Sequence, residues 1–294
     1  MIRETKIAHQ GLRFHCLEAG EPGAPLLLLL HGFPEYSGAW EEVLERLAGS
    51  FHLVAPDQRG YGRSSKPADV KDYAAGKLAG DAAAVLTHFA PKARAVVGHD
   101  WGASVAYALA IARPELMERL VIMNGAHPIP FQRALAAGGA QSAASQYFHY
   151  LRSPEAEARL SADDFAKLEK LFAEGMDLSW LAGDRLARYR AAWAEPGALT
   201  GMLNWYRATP LKVADAGAPL PDSALLPLDP ARLRIRMPHL LIWGTGDRAL
   251  LPAATEGLEA LCDDLRRVEV AGADHWLHHQ KPDEVCRLIA GFCG

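Results

Sequence analysis

The sequence predicts an α/β protein: a mostly parallel central sheet flanked by helices and interrupted by a long helical insertion. Three observations carry this. Short apolar runs alternate with helix-period segments through the first third of the chain. The alternation stops after Pro128, where Ala-rich, charged, helix-favouring sequence begins and continues to about Asp215. It resumes at His239.

The elements follow in order. Residues 13–18 alternate weakly and read as a strand. Leu26–Leu30 is a continuous apolar run between Pro25 and the His31-Gly32 pair, the pattern of a strand buried on both faces. Residues 51–55 and 93–98 read the same way. Between them, 74–89 has helical spacing, with Leu78, Val85, Leu86 and Phe89 near one face. A small-residue helix over 101–111 and a buried strand over 119–123 follow. In the insertion, 161–172 and 184–193 favour helix, and Gly138-Gly139, Pro154, Gly183 and Pro196-Gly197 punctuate it. Residues 213–230 hold Pro219, Pro221, Pro227 and Pro230 and read as a linker. Strands are expected at 239–243 and 266–270, and helices at 252–261 and 282–292. The division this gives is a core of 1–127 and 216–294 with a helical lid over 128–215.

Composition bounds the function. The 294 residues carry 31 Lys and Arg against 35 Asp and Glu, a net charge of -4. Half are apolar and 22% charged, which fits a globular protein and excludes disorder, collagen and coiled coil. Mild acidity gives no basic field for nucleic acid. No apolar run approaches the ~20 residues of a membrane span, and the polar start, Met1 to Lys6, has no signal-peptide core. Four cysteines without C-x-x-C pairing suggest a reduced cytoplasm. A cytoplasmic protein with no nucleic-acid or membrane partner is expected.

The chemistry gathers at strand ends. Gly98-His99-Asp100-Trp101-Gly102 lies where a buried strand meets a helix, the context of a nucleophile elbow whose two glycines permit a strained turn. Its middle residue is Asp100, not Ser. The plain alternative is an aspartate capping a helix. A carboxylate is already ionised at neutral pH and needs no base to attack. It suits displacement at a saturated carbon, which gives an ester. A histidine is then needed to activate water against that ester. His275, in the loop between the last strand and last helix, has that position. Asp247, just past the strand 239–243, would hold the His275 ring. The competing acid position after 119–123 is Asn124, which cannot serve as a carboxylate. His278 and His279 lie near His275, but no acidic or cysteine set completes a metal site with them, so none is expected. His31-Gly32-Phe33-Pro34 follows the Leu strand. There the backbone N–H groups of Phe33 and Trp101 would form an oxyanion hole, in a tight turn that can use a cis Pro34. Asp57 and Arg59 are expected to fix a turn through a charge-assisted bond.

Together, His31-Gly32-Phe33-Pro34-Glu35, Asp57-Gln58-Arg59-Gly60-Tyr61-Gly62, Gly98-His99-Asp100-Trp101-Gly102 and His275-Trp276 resemble the α/β-hydrolase family, in its epoxide hydrolase and dehalogenase branch. The resemblance covers nearly the whole chain and implies the α/β-hydrolase fold with a helical lid. It also implies a cofactor-free hydrolase that takes a small, largely apolar, neutral substrate with water as co-substrate. Leu203-Asn204-Trp205-Tyr206-Arg207 is similar to the late-lid motif of epoxide hydrolases, which makes Tyr206 an acid for the epoxide oxygen. Gln146-Tyr147-Phe148-His149-Tyr150, with Pro154 downstream, is similar to their first lid motif and makes Tyr147 the second, with Tyr150 competing. His31, Pro34, Trp101, Tyr150 and Trp205 are the implied substrate contacts. Fluoroacetate-type dehalogenases place Arg where this chain has Trp101 and Ser104. Many haloalkane dehalogenases place Asn where it has Phe33. A dehalogenase is the alternative, and a catalytically inert binding protein of the same fold a second one, against which the full set of Asp100, Asp247 and His275 weighs.

Overall fold

The computed structural model describes residues 1–173 and 175–294. Its sheet runs β1 (Arg3–His9), β2 (Leu12–Ala19), β3 (Leu26–Leu30), β4 (His52–Pro56), β5 (Ala93–His99), β6 (Met117–Met123), β7 (His239–Gly244) and β8 (Leu265–Val270). The spatial order is β1-β2-β4-β3-β5-β6-β7-β8. β2 is antiparallel to β1 and β4, and every other pairing is parallel. Helices α1 (Glu41–Leu47), α2 (Ala75–Phe89) and α3 (Trp101–Ala112) belong to the crossovers, and α10 (Leu277–Gln280) and α11 (Pro282–Cys293) close the chain.

The Leu run shows why the sheet is buried on both sides. Side chains alternate across a strand. Leu26, Leu28 and Leu30 enter one core with α2 and α3, while Leu27 and Leu29 enter the other with Trp40, Val43 and Leu44 of the α1 side and Val285 and Ile289 of α11. No position in β3 can be polar, so the sequence shows a run instead of an alternation.

Strand order also fixes where a site can form. The chain moves outward from β3 to β4, then returns to place β5 on the other side of β3. The loops after β3 and β5 therefore diverge and leave a crevice at the C-terminal ends, the switch point of the sheet.

Among the described residues six helices lie between β6 and β7: α4 (Pro128–Ala136), α5 (Ala140–Ala144), α6 (Tyr147–Arg152), α7 (Ala156–Ala173), α8 (Gly183–Ala194) and α9 (Ala198–Ala208). Polar contacts seat them over that crevice. Trp193 Nε1 donates to Pro34 O at 2.6 Å, and Trp205 Nε1 to Arg59 O at 2.9 Å. Tyr189 donates its hydroxyl to Glu35 Oε1 at 3.1 Å.

Several expectations need correction. β1 has no counterpart in the sequence reading, because this edge strand buries only Ile7 and shows no apolar rhythm. Residues 252–261 form two short 3-10 turns, separated where Gly257 takes φ +78°. The helix expected at 161–172 is kinked at Ala162–Phe165, where three residues have positive φ. Asp57 and Arg59 do not bond each other. Asp57 accepts from Ser37 N and Arg63 N, both at 2.8 Å. Arg59 instead forms a buried two-pronged pair with Asp81 at 2.7 Å on each prong. The register of α2 decides this, since it presents Asp81 to the loop after β4.

Candidate active site

Asp100 stands between β5 and α3 with φ 51° and ψ -119°, outside the regions non-glycine residues prefer. Its neighbours make room for that turn. A Cβ on Gly98 would lie 2.6 Å from Gly102 O, and one on Gly102 would overlap Leu30 O. So the elbow requires both glycines, and it lifts the Asp100 carboxylate above the end of the sheet.

The carboxylate has two different oxygens. Oδ1 accepts from Phe33 N at 2.8 Å. Trp101 N, the first N–H of α3, belongs to a helix turn whose N–H groups lack intrahelical partners. Oδ2 faces His275 Nε2 at 3.6 Å. On its far side, His275 Nδ1 meets Asp247 Oδ2 at 2.7 Å. Asp247 is in turn held by Asn124 Nδ2 at 2.6 Å and by Ala249 N and Leu250 N, each at 2.8 Å. Asn124 cannot rotate freely, because its Oδ1 accepts from Gly244 N at 2.7 Å.

These surroundings set the charges. Burial alone would raise Asp247, but His275 and the converging donors hold its pKa below the usual carboxylate value. Burial alone would lower His275, yet Asp247 and Asp100 outweigh it and raise its pKa well above 6.5. Burial, reinforced by Tyr147 and the Asp100 charge, pushes the Tyr206 phenol well above 10. At neutral pH Tyr206 is therefore a proton donor.

A cavity of about 410 Å³, mouth included, opens above Asp100. Phe33, Pro34, Tyr147, Tyr206, His275 and Trp276 help to line it, with Leu171, Phe172 and Met176 as its apolar roof. The Tyr147 and Tyr206 rings are 6.1 Å apart. The Trp101 and Tyr206 rings meet edge to face, 5.0 Å between centres.

Not every expected contact reaches this cavity. His31 is fully buried beneath it. Its Nδ1 pairs with Gly32 O at 2.9 Å and its Nε2 accepts from Gln58 N at 3.1 Å, so it braces the loop after β3. Tyr150, one turn from Tyr147, faces away, with the Arg159 guanidinium 5.9 Å from its ring centre. Trp205 is fixed to Arg59 O and lines a separate apolar cavity behind Trp101. Pro34 and Tyr147 do line the cavity over Asp100. Trp101 lines the two adjoining ones, and the Phe33–Pro34 peptide is cis.

Sequence reasoning missed Asn124 as a partner of Asp247; it was named only as a residue that could not be the acid. It also missed Glu35 and His99, whose motif positions gave the available signal. His99 Nε2 lies 2.8 Å from His275 O, and Nδ1 lies 3.1 Å from Glu35 Oε2. His278 and His279 surround Glu35, not the His275 ring.

Fold, elbow and acid–histidine pair together define a class. Residues 25–282 match the alpha/beta hydrolase fold family, and the chain belongs to that family and is a hydrolase. It is 34% identical over 284 residues to the AB hydrolase superfamily protein YfhM of Bacillus subtilis, covering 96% of this chain and 94% of that one. It is 32% identical to Epoxide hydrolase 4 of Mus musculus, covering 98% of this chain and 78% of that one. Among solved structures, an epoxide hydrolase from metagenomes of hot environments superposes with TM-score 0.91 at 32% identity, covering 100% of this chain and 99% of the other. The inhibitor complex of Bacillus megaterium epoxide hydrolase gives TM-score 0.87 at 29% identity over 98% and 99%. Among the described residues no helix is long and apolar enough to cross a membrane.

Proposed function

We propose that this chain hydrolyses a small, largely apolar, neutral epoxide to a vicinal diol through an ester on Asp100. One observation carries the choice: the phenols of Tyr147 and Tyr206 line the cavity over the carboxylate, whereas Trp101 lines the adjoining ones. An epoxide oxygen needs a phenol proton.

Asp100 Oδ2, the oxygen not held by Phe33 N, attacks a ring carbon and the C–O bond on that carbon breaks. Tyr206 and Tyr147 hold the oxygen and one gives it a proton. His275 starts as imidazolium, and the proton it sheds restores the phenol through water. Carboxylate, imidazolium and epoxide thus become ester, imidazole and alcohol. Esterification removes one of the charges that held the His275 proton, so the base is freed when it is needed. Neutral His275 then takes a proton from water, and the hydroxide adds to the Asp100 carbonyl. Phe33 N and Trp101 N stabilise the resulting oxyanion. The ester C–O bond breaks, the alcohol oxygen takes the acid proton, and carboxylate and imidazolium are restored.

Residues 128–215 act as a lid in this reading. The four buried, free cysteines fit a reduced, cytoplasmic setting. No cofactor is used.

The test is a trapped ester. His275→Gln protein, exposed to epoxides and to haloalkanes and then denatured, is weighed. An epoxide should add its own full mass at Asp100. Adducts from haloalkanes alone would make the chain a dehalogenase, and no adduct with no turnover would support a binding protein.

A further inference from the structure

Beneath the triad lies a polar cluster that the hydrolytic reaction does not explain. Glu35, His99 and His278 are buried, and one ligand-type atom from each lies within 4.8 Å of the others. His99 Nδ1 is 3.1 Å from Glu35 Oε2, and His278 Nε2 is 3.4 Å from Glu35 Oε1. An ion held ~2.0–2.2 Å from tetrahedral nitrogen and oxygen donors has those donors roughly 3.3–3.6 Å apart. Each imidazole nitrogen is thus near that spacing from one of the two carboxylate oxygens, the arrangement of a carboxylate that offers both oxygens to one ion.

Two further observations concern the lone pairs. His99 Nε2 faces a carbonyl oxygen, His275 O, at 2.8 Å, so that nitrogen carries hydrogen. In the neutral ring Nδ1 then holds a lone pair, and it points at a carboxylate oxygen. Two acceptors at 3.1 Å need a positive charge between them: a second proton on the ring, or a cation. A ligand histidine typically donates its other N–H to a backbone carbonyl, as His99 does. Second, His278 is 1% exposed; its Nδ1 has no hydrogen-bond partner, and its Nε2 has only the 3.4 Å contact with Glu35 Oε1, which falls short of hydrogen-bond geometry. A core histidine so poorly satisfied is costly.

We propose that Glu35, His99 and His278 form a structural site for one divalent transition ion of the zinc class. Imidazole nitrogens with one carboxylate suit Zn²⁺ or Co²⁺, whereas Mg²⁺ and Ca²⁺ prefer oxygen. His279 Nε2, 2.8 Å from Glu35 Oε1, is the nearest further donor. None of the four lines the cavity above Asp100, so the ion would not meet substrate. It would join the loop after β3, the end of β5 and α10, which adjoin Phe33, Asp100 and His275.

Because the site is closed, loading is tested during folding. Wild-type protein is unfolded with chelator, refolded with Co²⁺ and desalted; a second preparation is expressed with added Zn²⁺. We expect about one equivalent retained per chain, visible Co²⁺ bands of a tetrahedral nitrogen–oxygen site, and a melting temperature several degrees above that of protein refolded without metal. His278→Gln should fold and turn over substrate but lose the bands, the stoichiometric ion and the metal-dependent rise. Wild type that folds yet retains no ion, or His278→Gln that retains it as wild type does, overturns the site. If His278→Gln does not fold, His279→Gln and the Co²⁺ spectrum of wild type decide: no tetrahedral bands in wild type sinks the proposal.

Discussion

Replacing Asp247 by Asn tests the triad most directly, because the structure dictates what an amide meets there. Four donors converge on Asp247: His275 Nδ1 and Asn124 Nδ2 on Oδ2, and the Ala249 and Leu250 N–H groups on Oδ1. An amide keeps one oxygen and adds an NH₂. Whichever way it turns, the NH₂ opposes two N–H donors. Asn124 cannot flip to help, since Gly244 N holds its Oδ1 at 2.7 Å. Two hydrogen bonds to a charged group are lost, at about 1.5–3 kcal/mol each, so about 3–6 kcal/mol is divided between stability and function. His275 also loses the larger of the charges that raise its pKa and its tautomer control. Ester hydrolysis should slow by about 10² to 10⁴, while the Asp100 ester still forms and accumulates. Rapid quench with intact-protein mass spectrometry follows both steps. A variant whose ester breaks down within about threefold of the wild-type rate would refute the role, since that general-base contribution is too large to hide.

The other predictions follow from single contacts. Tyr206→Phe should slow ester formation by about 10² or more and leave ester breakdown unchanged, as single-turnover traces would show. A single turnover in heavy-oxygen water should place the label in Asp100 before it enters the diol; label directly in the diol would exclude the ester. Arg59→Met leaves Asp81 buried without its partner and should cost about 3–5 kcal/mol in urea unfolding. Glu18 is held at a pKa of about 2, where bonds from Arg3, Thr5 and His52 outweigh burial. Its contribution is complete above the ordinary glutamate value of 4.5 and is lost as pH falls through about 2. Glu18→Gln should therefore be less stable than wild type near neutrality, by at most about 3 kcal/mol, with the gap closing in acid.

The elbow was legible because its constraint is local. Only a strand–turn–helix with two close backbone approaches needs Gly98 and Gly102 around a side chain, and a two-face strand such as β3 must read as a run of leucines. What was not legible depends on other elements. Whether Tyr147 or Tyr150 faces Asp100 is set by the rotation of α6 against α9, and the partner of Arg59 by the register of α2. The turn of Trp205 away from Asp100 is set by Arg59 O, a backbone atom with no sequence signature. His278 was readable as a loop histidine; only the fold brings Glu35, from a loop 243 positions earlier, against it.

In the proposed reaction the electrostatics of His275 also set the order of the two steps. In the resting pair Asp247 and Asp100 together hold its proton well above pH 6.5, so ester formation begins with the imidazolium that supplies the missing proton. Its rate should be flat through neutrality and fall as pH rises through that raised value. The ester has lost the Asp100 charge, and burial then works against a smaller opposing field. Its histidine must release the proton at lower pH than in the free enzyme, and hydrolysis should climb with pH and level off earlier. Transient kinetics across pH separates the two steps: ester should accumulate most in mildly acidic buffer and least in alkaline. Equal pH dependence for both steps would mean that Asp100 and His275 do not share charge in this way, and that another group supplies the first proton.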